Sequence, residues 1–166
     1  MKKVLIFLLL AILLLSCKKD KINSDIDAQL LEMAQDETGF TYYKKSNILL
    51  PKSSGSGHSF AYLKTRYNET AATMLDSSGK VKVGAVFPEG SLIVKELYSD
   101  LSTLARYAIL YKNAANEFAD ENGWVWGYIN SDQSVAVSAS TKGNSCISCH
   151  TQSEHIDYML MNKFFP

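Results

Sequence analysis

The sequence predicts an α+β domain, a mostly antiparallel β-sheet with flanking N- and C-terminal helices. Three observations carry that expectation. Between Phe60 and Val137, short segments rich in aromatic and β-branched residues alternate with turn-forming Gly, Pro, Asp and Ser. Before them, Leu30, Leu31, Met33 and Ala34 recur at helical spacing, and after them Ile156, Met159, Leu160 and Phe164 do so too. Helices placed outside a run of strands favour α+β over a parallel βαβ arrangement.

The chain opens with an export segment at 1–16. Lys2 and Lys3 form a short positive region, followed by an apolar run from Val4 to Leu15 that is too short to cross a bilayer, which takes about 20 residues. It ends in Leu14-Leu15-Ser16-Cys17, which resembles the lipobox of bacterial lipoproteins, whose cysteine is acylated and becomes the new N-terminus. Lipidation at Cys17 anchors through buried methylenes at about 0.8 kcal/mol each. The expected location is the bacterial cell envelope, lipid-anchored to a membrane and facing the periplasm or the cell exterior. Residues 17–26 read as the lipidated cysteine and a polar tether, and 27–166 as the domain.

Within the domain, Asp27 is placed to cap a first helix and Gly39 to follow its end. A Ser/Gly-rich loop runs from Lys52 to His58. Strands are expected at 60–67, 80–83, 92–98, 105–112 and 123–129, with a weaker one around Val135 and Val137 and a short helical turn within 68–75. For 105–112 a helix is the alternative. His155 to Phe165 is compatible with a short amphipathic helix. About 150 residues suffice for one domain with a sizeable core.

Charge excludes one class of partner. There are 17 basic and 17 acidic residues, and setting aside Lys2 and Lys3 leaves 15 basic, a net charge of −2. No basic excess is available to attract nucleic acid. The three cysteines are more telling, because an odd number in an exported chain calls for uses other than disulfides. Cys17 goes to lipid; the other two stand in Cys146-Ile147-Ser148-Cys149-His150.

That pentapeptide is the attachment pattern of a c-type haem. Each thiol adds across one vinyl group, the two-residue spacing lets both sulfurs reach one macrocycle, and His150 supplies an axial imidazole to the iron. The expected cofactor is therefore one covalently bound haem c. Other chemistries use such cysteines. A zinc site needs more ligands, and only His58 and His155 remain; a thioredoxin-like pair needs a βαβ setting; a Cys146–Cys149 disulfide closes a tight loop. The motif also comes late, behind the strands, whereas small all-helical cytochromes carry it early.

With these residues in view the sequence resembles the cytochrome P-460 family, which includes P-460 itself and the β-sheet cytochromes c′. The resemblance runs from His58 to Tyr158: His58 before a strand leading to Tyr67-Asn68-Glu69-Thr70-Ala71-Ala72, then Phe87-Pro88-Glu89-Gly90-Ser91-Leu92-Ile93-Val94-Lys95-Glu96, then Gly123-Trp124-Val125-Trp126-Gly127, and Asp157-Tyr158 behind the cysteine motif. It implies a five-coordinate haem with His150 proximal, and small nitrogenous ligands: hydroxylamine oxidised by the enzymes, nitric oxide bound by the non-catalytic relatives. In the enzymes a lysine is also bonded to the porphyrin, for which Lys82 and Lys95 are the candidates. A distal carboxylate must lie within hydrogen-bond reach of the ligand, and Glu96 and Glu121 are the candidates. Phe60 and Phe87 are candidates to cap an apolar distal face, while Trp124 and Trp126 read first as packing residues.

The competing function is a membrane-tethered, six-coordinate electron-transfer cytochrome, with His58, His155, Met33, Met74, Met159 and Met161 as available sixth ligands. A sensory or structural module is a third reading, with no partner surface legible. Whether the protein is an enzyme stays open; if so, it is an oxidoreductase of the hydroxylamine-oxidising type. Expected partners are nitric oxide or hydroxylamine, the membrane through the lipid, and a redox protein of unassigned kind. A homodimer is compatible with the sequence.

Overall fold

A computed structural model describes residues 25–166. The export segment, Cys17 and most of the tether lie outside the described residues. Among those described, no helix is long and apolar enough to cross a membrane.

Helix α1 (Asp25–Gln35) begins two residues before Asp27. The Asp27 carboxylate is buried and reaches across the fold, accepting from the Ser138 hydroxyl at 2.6 Å and the Ala139 N–H at 2.8 Å. Gly39 lies beyond the helix end in a turn with φ +73°. Two short strands follow, β1 (Thr41–Tyr42) and β2 (Leu50–Pro51), neither expected from the sequence because two-residue strands carry no periodicity.

The sheet is completed by β3 (Tyr62–Tyr67), β4 (Leu92–Tyr98), β5 (Leu104–Lys112), β6 (Trp124–Asn130) and β7 (Val135–Val137). The order is β1-β3-β4-β5-β6-β7 with β2 also on β3, and every pairing is antiparallel. The expected α+β class holds, and 105–112 is a strand. One expected strand does not form. At 80–83 only Val81 bridges, to Leu75; Val81 is 2% exposed but Val83 is 95% exposed, so the alternation has no second buried residue to sustain it. The helical turn after β3 is α2 (Glu69–Ala72), capped by the Asn68 side chain, which accepts from Ala71 N–H at 2.9 Å.

The two sheet faces bury different things, because successive strand residues point to opposite sides. On one face α1 packs Leu30, Leu31 and Ala34 against Leu92, Val94, Ile109, Val125 and Ile129. Gly127 lets α1 approach closely; a Cβ there would stand 2.9 Å from Leu30 Cδ1. On the other face Ile93, Leu97, Leu110, Trp124 and Trp126 meet the C-terminal segment through Tyr158, Met159 and Met161. That segment is not the helix expected for 155–165. Glu154, Asp157 and Tyr158 all have positive φ, which breaks the helix, and only α4 (Met161–Phe164) remains after a one-turn α3 (Ile147–His150).

Candidate haem site

The site rests on one cross-strand row. Thr65 pairs with Lys95, Lys95 with Ala108, Ala108 with Tyr128 and Tyr128 with Val137, so strands β3 to β7 each place one side chain in a line on the face away from α1. Three of the five are small or medium-sized. They floor a cavity of about 310 Å³, within the usual range for ligand sites. Its walls come from Ile93, Leu110 and Trp126 of the neighbouring row, from Gly55 to His58, from Cys146, Cys149 and His150, and from Met159 to Met161 and Phe164.

His150 closes α3 and is fixed on two sides. Its Nδ1–H donates to the Tyr158 carbonyl at 2.8 Å, and the Trp126 ring stands edge-on to it with centres 5.2 Å apart. Nδ1 being engaged, Nε2 is the nitrogen left for a metal, the usual division of labour in a ligating histidine. Burial and the nearby Lys95 charge pull its pKa down to about 4, so the ring is neutral and able to ligate. Cys146 and Cys149 are both free thiols, and burial pushes the Cys146 thiol up. Two free thiols one helical turn apart, a neutral imidazole beside them and an apolar-walled cavity fit a covalently held haem. Among the described residues no group of three or more His, Cys, Asp or Glu is arranged to hold a bare metal ion, so the zinc alternative has no geometric support.

The Tyr158 carbonyl is held in place by strain and charge. Asp157 and Tyr158 adopt φ of 45° and 70°, conformations that cost a non-glycine residue about 1–3 kcal/mol each. The Asp157 carboxylate offsets this by accepting from Phe87 N–H at 2.9 Å and Trp124 Nε1–H at 3.0 Å, with Lys112 Nζ at 3.4 Å. Asn122 donates to the Tyr158 hydroxyl at 2.6 Å. Asp157-Tyr158 stood out in the sequence only by its place behind the cysteine motif; its orienting role depends on long-range contacts.

The remaining sequence candidates separate cleanly. Lys95 lines the cavity, and burial lowers its pKa to about 8. Lys82 does not reach it: the side chain is exposed and donates to the Thr73 carbonyl at 2.8 Å. Glu96 follows Lys95 on β4 and therefore faces α1. There it is 1% exposed, 2.8 Å from Arg66 Nε and 3.0 Å from Lys64 Nζ, an ion-pair centre rather than a distal carboxylate. Glu121 is exposed in the loop before β6. Among the described residues no Asp or Glu lines the cavity.

Phe60 lies outside the lining under the Arg106 guanidinium, 5.2 Å from ring centre to Cζ. Phe87 is a core residue stacked on Tyr67 at 6.3 Å and edge-on to Trp124 at 5.8 Å. Neither phenylalanine caps the cavity. Of the sixth-ligand candidates, Met33 packs on the α1 face, Met74 stays off the lining, and His155 is exposed and accepts from Tyr158 N–H at 3.2 Å. His58, Met159 and Met161 do line the cavity, though the Met161 sulfur already accepts from the Thr65 hydroxyl at 3.2 Å.

A family model described as Cytochrome P460 matches residues 43–161, from the buried Tyr43 through strands β2 to β7 and the cysteine motif to Met161. No curated protein and no solved structure matches the chain. The match covers most of the chain and every strand of the cavity floor. The chain therefore belongs to the cytochrome P460 family, and its cofactor is covalently bound haem c with its iron.

Proposed function

We propose that this cytochrome P460 family member is an exported, lipid-anchored haem c protein that binds a small nitrogenous ligand, nitric oxide or hydroxylamine, at the iron face opposite His150. Cys146 and Cys149 would hold the haem through thioethers, and His150 Nε2 would be the proximal ligand. The observation that carries the reading is the cavity itself: apolar and aromatic walls converge beside an oriented, neutral imidazole, with Lys95 as the one lysine or arginine in the lining among the described residues. Bound there, the haem iron supplies the coordination position at which such a ligand is held.

The protein's own residues set the conditions for that ligand. Tyr158 O holds the proton on His150 Nδ1 and keeps Nε2 as the donor nitrogen. The apolar walls limit water beside the ligand. Among the described residues no carboxylate lies in the lining to take a proton from hydroxylamine, which favours binding of nitric oxide over oxidation of hydroxylamine. Lys95 is the residue we propose for a bond to the porphyrin, should one be present. Anchoring is supported by Leu14-Leu15-Ser16-Cys17 behind the apolar run, and would hold the domain at a membrane surface in the cell envelope.

The deciding experiment is an absorption spectrum of the reduced, haem-loaded protein with and without carbon monoxide or nitric oxide. A ligand-bound Soret band is expected with each gas; a spectrum indifferent to both would leave electron transfer as the function. Peptide mapping by mass spectrometry reads the lysine link, expected at Lys95 or nowhere. Labelled fatty acid should enter the full chain and fail to enter the Cys17→Ala variant.

A further inference from the structure

Two histidines line the cavity, and the proposed function uses one of them. His58 ends the Ser/Gly loop, with its Nδ1 3.1 Å from the Tyr128 hydroxyl and its backbone N–H 3.4 Å from Ser56 Oγ. Its ring centre lies 6.3 Å from that of His150, with the planes at 75°. In each, Nδ1 lies within hydrogen-bond distance of an oxygen: the Tyr158 carbonyl fixes Nδ1–H on His150, and the Tyr128 hydroxyl, when it accepts from His58 Nδ1–H, leaves His58 Nε2 as the ligating nitrogen.

The spacing discriminates between roles. A metal–imidazole bond is about 2 Å and a ring nitrogen sits about 1.2 Å from its ring centre, so two imidazoles on opposite sides of one iron have centres about 6–6.5 Å apart. A distal histidine that only donates a hydrogen bond to a bound ligand stands further off by a ligand atom and a hydrogen bond of about 3 Å, placing its centre about 8 Å or more away. The observed 6.3 Å matches the first of these two roles, and edge-on ring packing, which spans about 4.5–7 Å, is the alternative that the spin state separates from it.

We infer that His58 is the sixth ligand of the haem iron in the resting protein, opposite His150, and that an incoming small ligand must displace it. The inference rests on the proposed attachment of the haem, and it replaces the open distal position that the family resemblance implies. The two sides are unequally tethered. His150 follows the attachment cysteine Cys149 directly and is locked by Tyr158 and Trp126. His58 hangs on a loop that packs on Phe164 at Gly55 but is open at Gly57, where a Cβ would meet nothing, and its ring is tied by one hydrogen bond. Displacement therefore opens the His58 side. Ligands that bind ferrous haem strongly, such as nitric oxide, can compete with the imidazole, whereas weak ones cannot.

The test uses the full-length haem-loaded protein and reads spin state and ligand kinetics. Wild-type ferric protein should be low-spin by electron paramagnetic resonance. His58→Ala should be high-spin, and free imidazole should return it to low-spin. Mixing the reduced protein with carbon monoxide should give a rate that saturates with gas concentration in the wild type. In His58→Ala the rate should rise linearly and be roughly tenfold faster or more, because the closed population no longer limits entry. Tyr128→Phe, which leaves His58 in place, should raise the saturating rate while keeping the low-spin signal. A high-spin wild type, or a low-spin His58→Ala without added imidazole, overturns the inference and means the rings merely pack. If His58→Ala is high-spin yet binds neither carbon monoxide nor nitric oxide, His58 ligation stands and it is the ligand-binding function that fails.

Discussion

Glu96→Ala separates a catalytic carboxylate from a structural one. Glu96 Oε1 lies 2.8 Å from Arg66 Nε, Oε2 is 3.0 Å from Lys64 Nζ and accepts from the Tyr98 hydroxyl at 2.8 Å, and the Arg66 side chain is fully buried. Arg66 also donates to the Asp36 carbonyl at 2.8 Å and to the Ala34 carbonyl, fastening the end of α1 to the sheet. Removing Glu96 leaves the buried guanidinium without its counter-charge. Breaking such a pair costs about 3–5 kcal/mol. Lys64 is partly exposed and adds little, since solvent screens it. For a domain of this size each kcal/mol lowers the melting temperature by about 2–4 °C, so a fall of roughly 6–20 °C is expected. The assay is far-ultraviolet circular dichroism melting of the haem-loaded protein, paired with a carbon monoxide titration at low temperature, where the variant is still folded. The gas affinity should match wild type, because Glu96 points to the α1 face. A melting temperature within about 2 °C of wild type together with altered ligand binding would refute the argument and return Glu96 to the site.

Asp157→Asn should loosen the strained turn that presents Tyr158 O to His150, costing about 1.5–3 kcal/mol for the weakened charge-assisted bonds and shifting the haem reduction potential, read by redox titration; an unchanged potential would show that the turn holds itself. Lys82→Met should stay within about 0.5 kcal/mol of wild type with an unaltered spectrum, whereas Lys95→Met should change the haem band; a spectral change in the Lys82 variant alone would reverse the assignment. Tyr43 is raised from its ordinary value to about 12 by burial, and its hydroxyl donates to Phe165 O at 2.8 Å. Its contribution is present in full below about pH 10 and is lost as pH rises through about 12, because the unfolded chain releases the phenolic proton first. Tyr43→Phe should therefore be about 1 kcal/mol less stable at about pH 8, with the gap to wild type closing between about pH 10 and 12 in urea denaturation; a gap that widens contradicts the sign.

Much of the sheet was legible because its strands are long enough to show their character. Leu92–Tyr98 and Trp124–Asn130 are rich in aliphatic and aromatic residues and each starts shortly after a glycine, Gly90 or Gly123, and the structure places strands there as expected. Val81 and Val83 failed for the opposite reason: two alternating residues do not decide a strand when nothing packs on the second. The C-terminal helix failed because apolar spacing says nothing about the positive φ values of Asp157 and Tyr158, a turn that the Asp157 carboxylate ties to Phe87 and Trp124 across the fold. At the site, the pentapeptide announced itself by local chemistry. The floor of the cavity did not, since Thr65, Lys95, Ala108, Tyr128 and Val137 become neighbours only through register across five strands. Strand parity alone could have gone one step further. Lys95 and Glu96 are adjacent on one strand, so they face opposite sides and cannot both serve one haem.

The same parity says how much the cofactor contributes to the fold. The α1 face of the sheet is closed by protein, with Leu30, Ala34, Val94, Val125 and Ile129 at or near zero exposure. The opposite face holds the cavity of about 310 Å³ over the row Thr65, Lys95, Ala108, Tyr128 and Val137. At roughly 24 cal/mol per Å³ of unfilled core, that volume corresponds to about 7 kcal/mol, a ceiling because water reaches the open side. Domains of this size have about 5–15 kcal/mol of stability in all. The haem is thus expected to act as core as well as chemistry. Its loss should weaken the C-terminal face first, where Met159, Met161 and Phe164 border the cavity, and leave α1 on its sheet face for longer. Hydrogen exchange on the Cys146→Ala/Cys149→Ala variant should show amides of Met159 to Phe165 exchanging far faster than in the haem-loaded protein, while those of Leu30 to Ala34 stay near wild-type rates. Uniform loss of protection would mean that the two faces unfold as one unit and that the haem stabilises both.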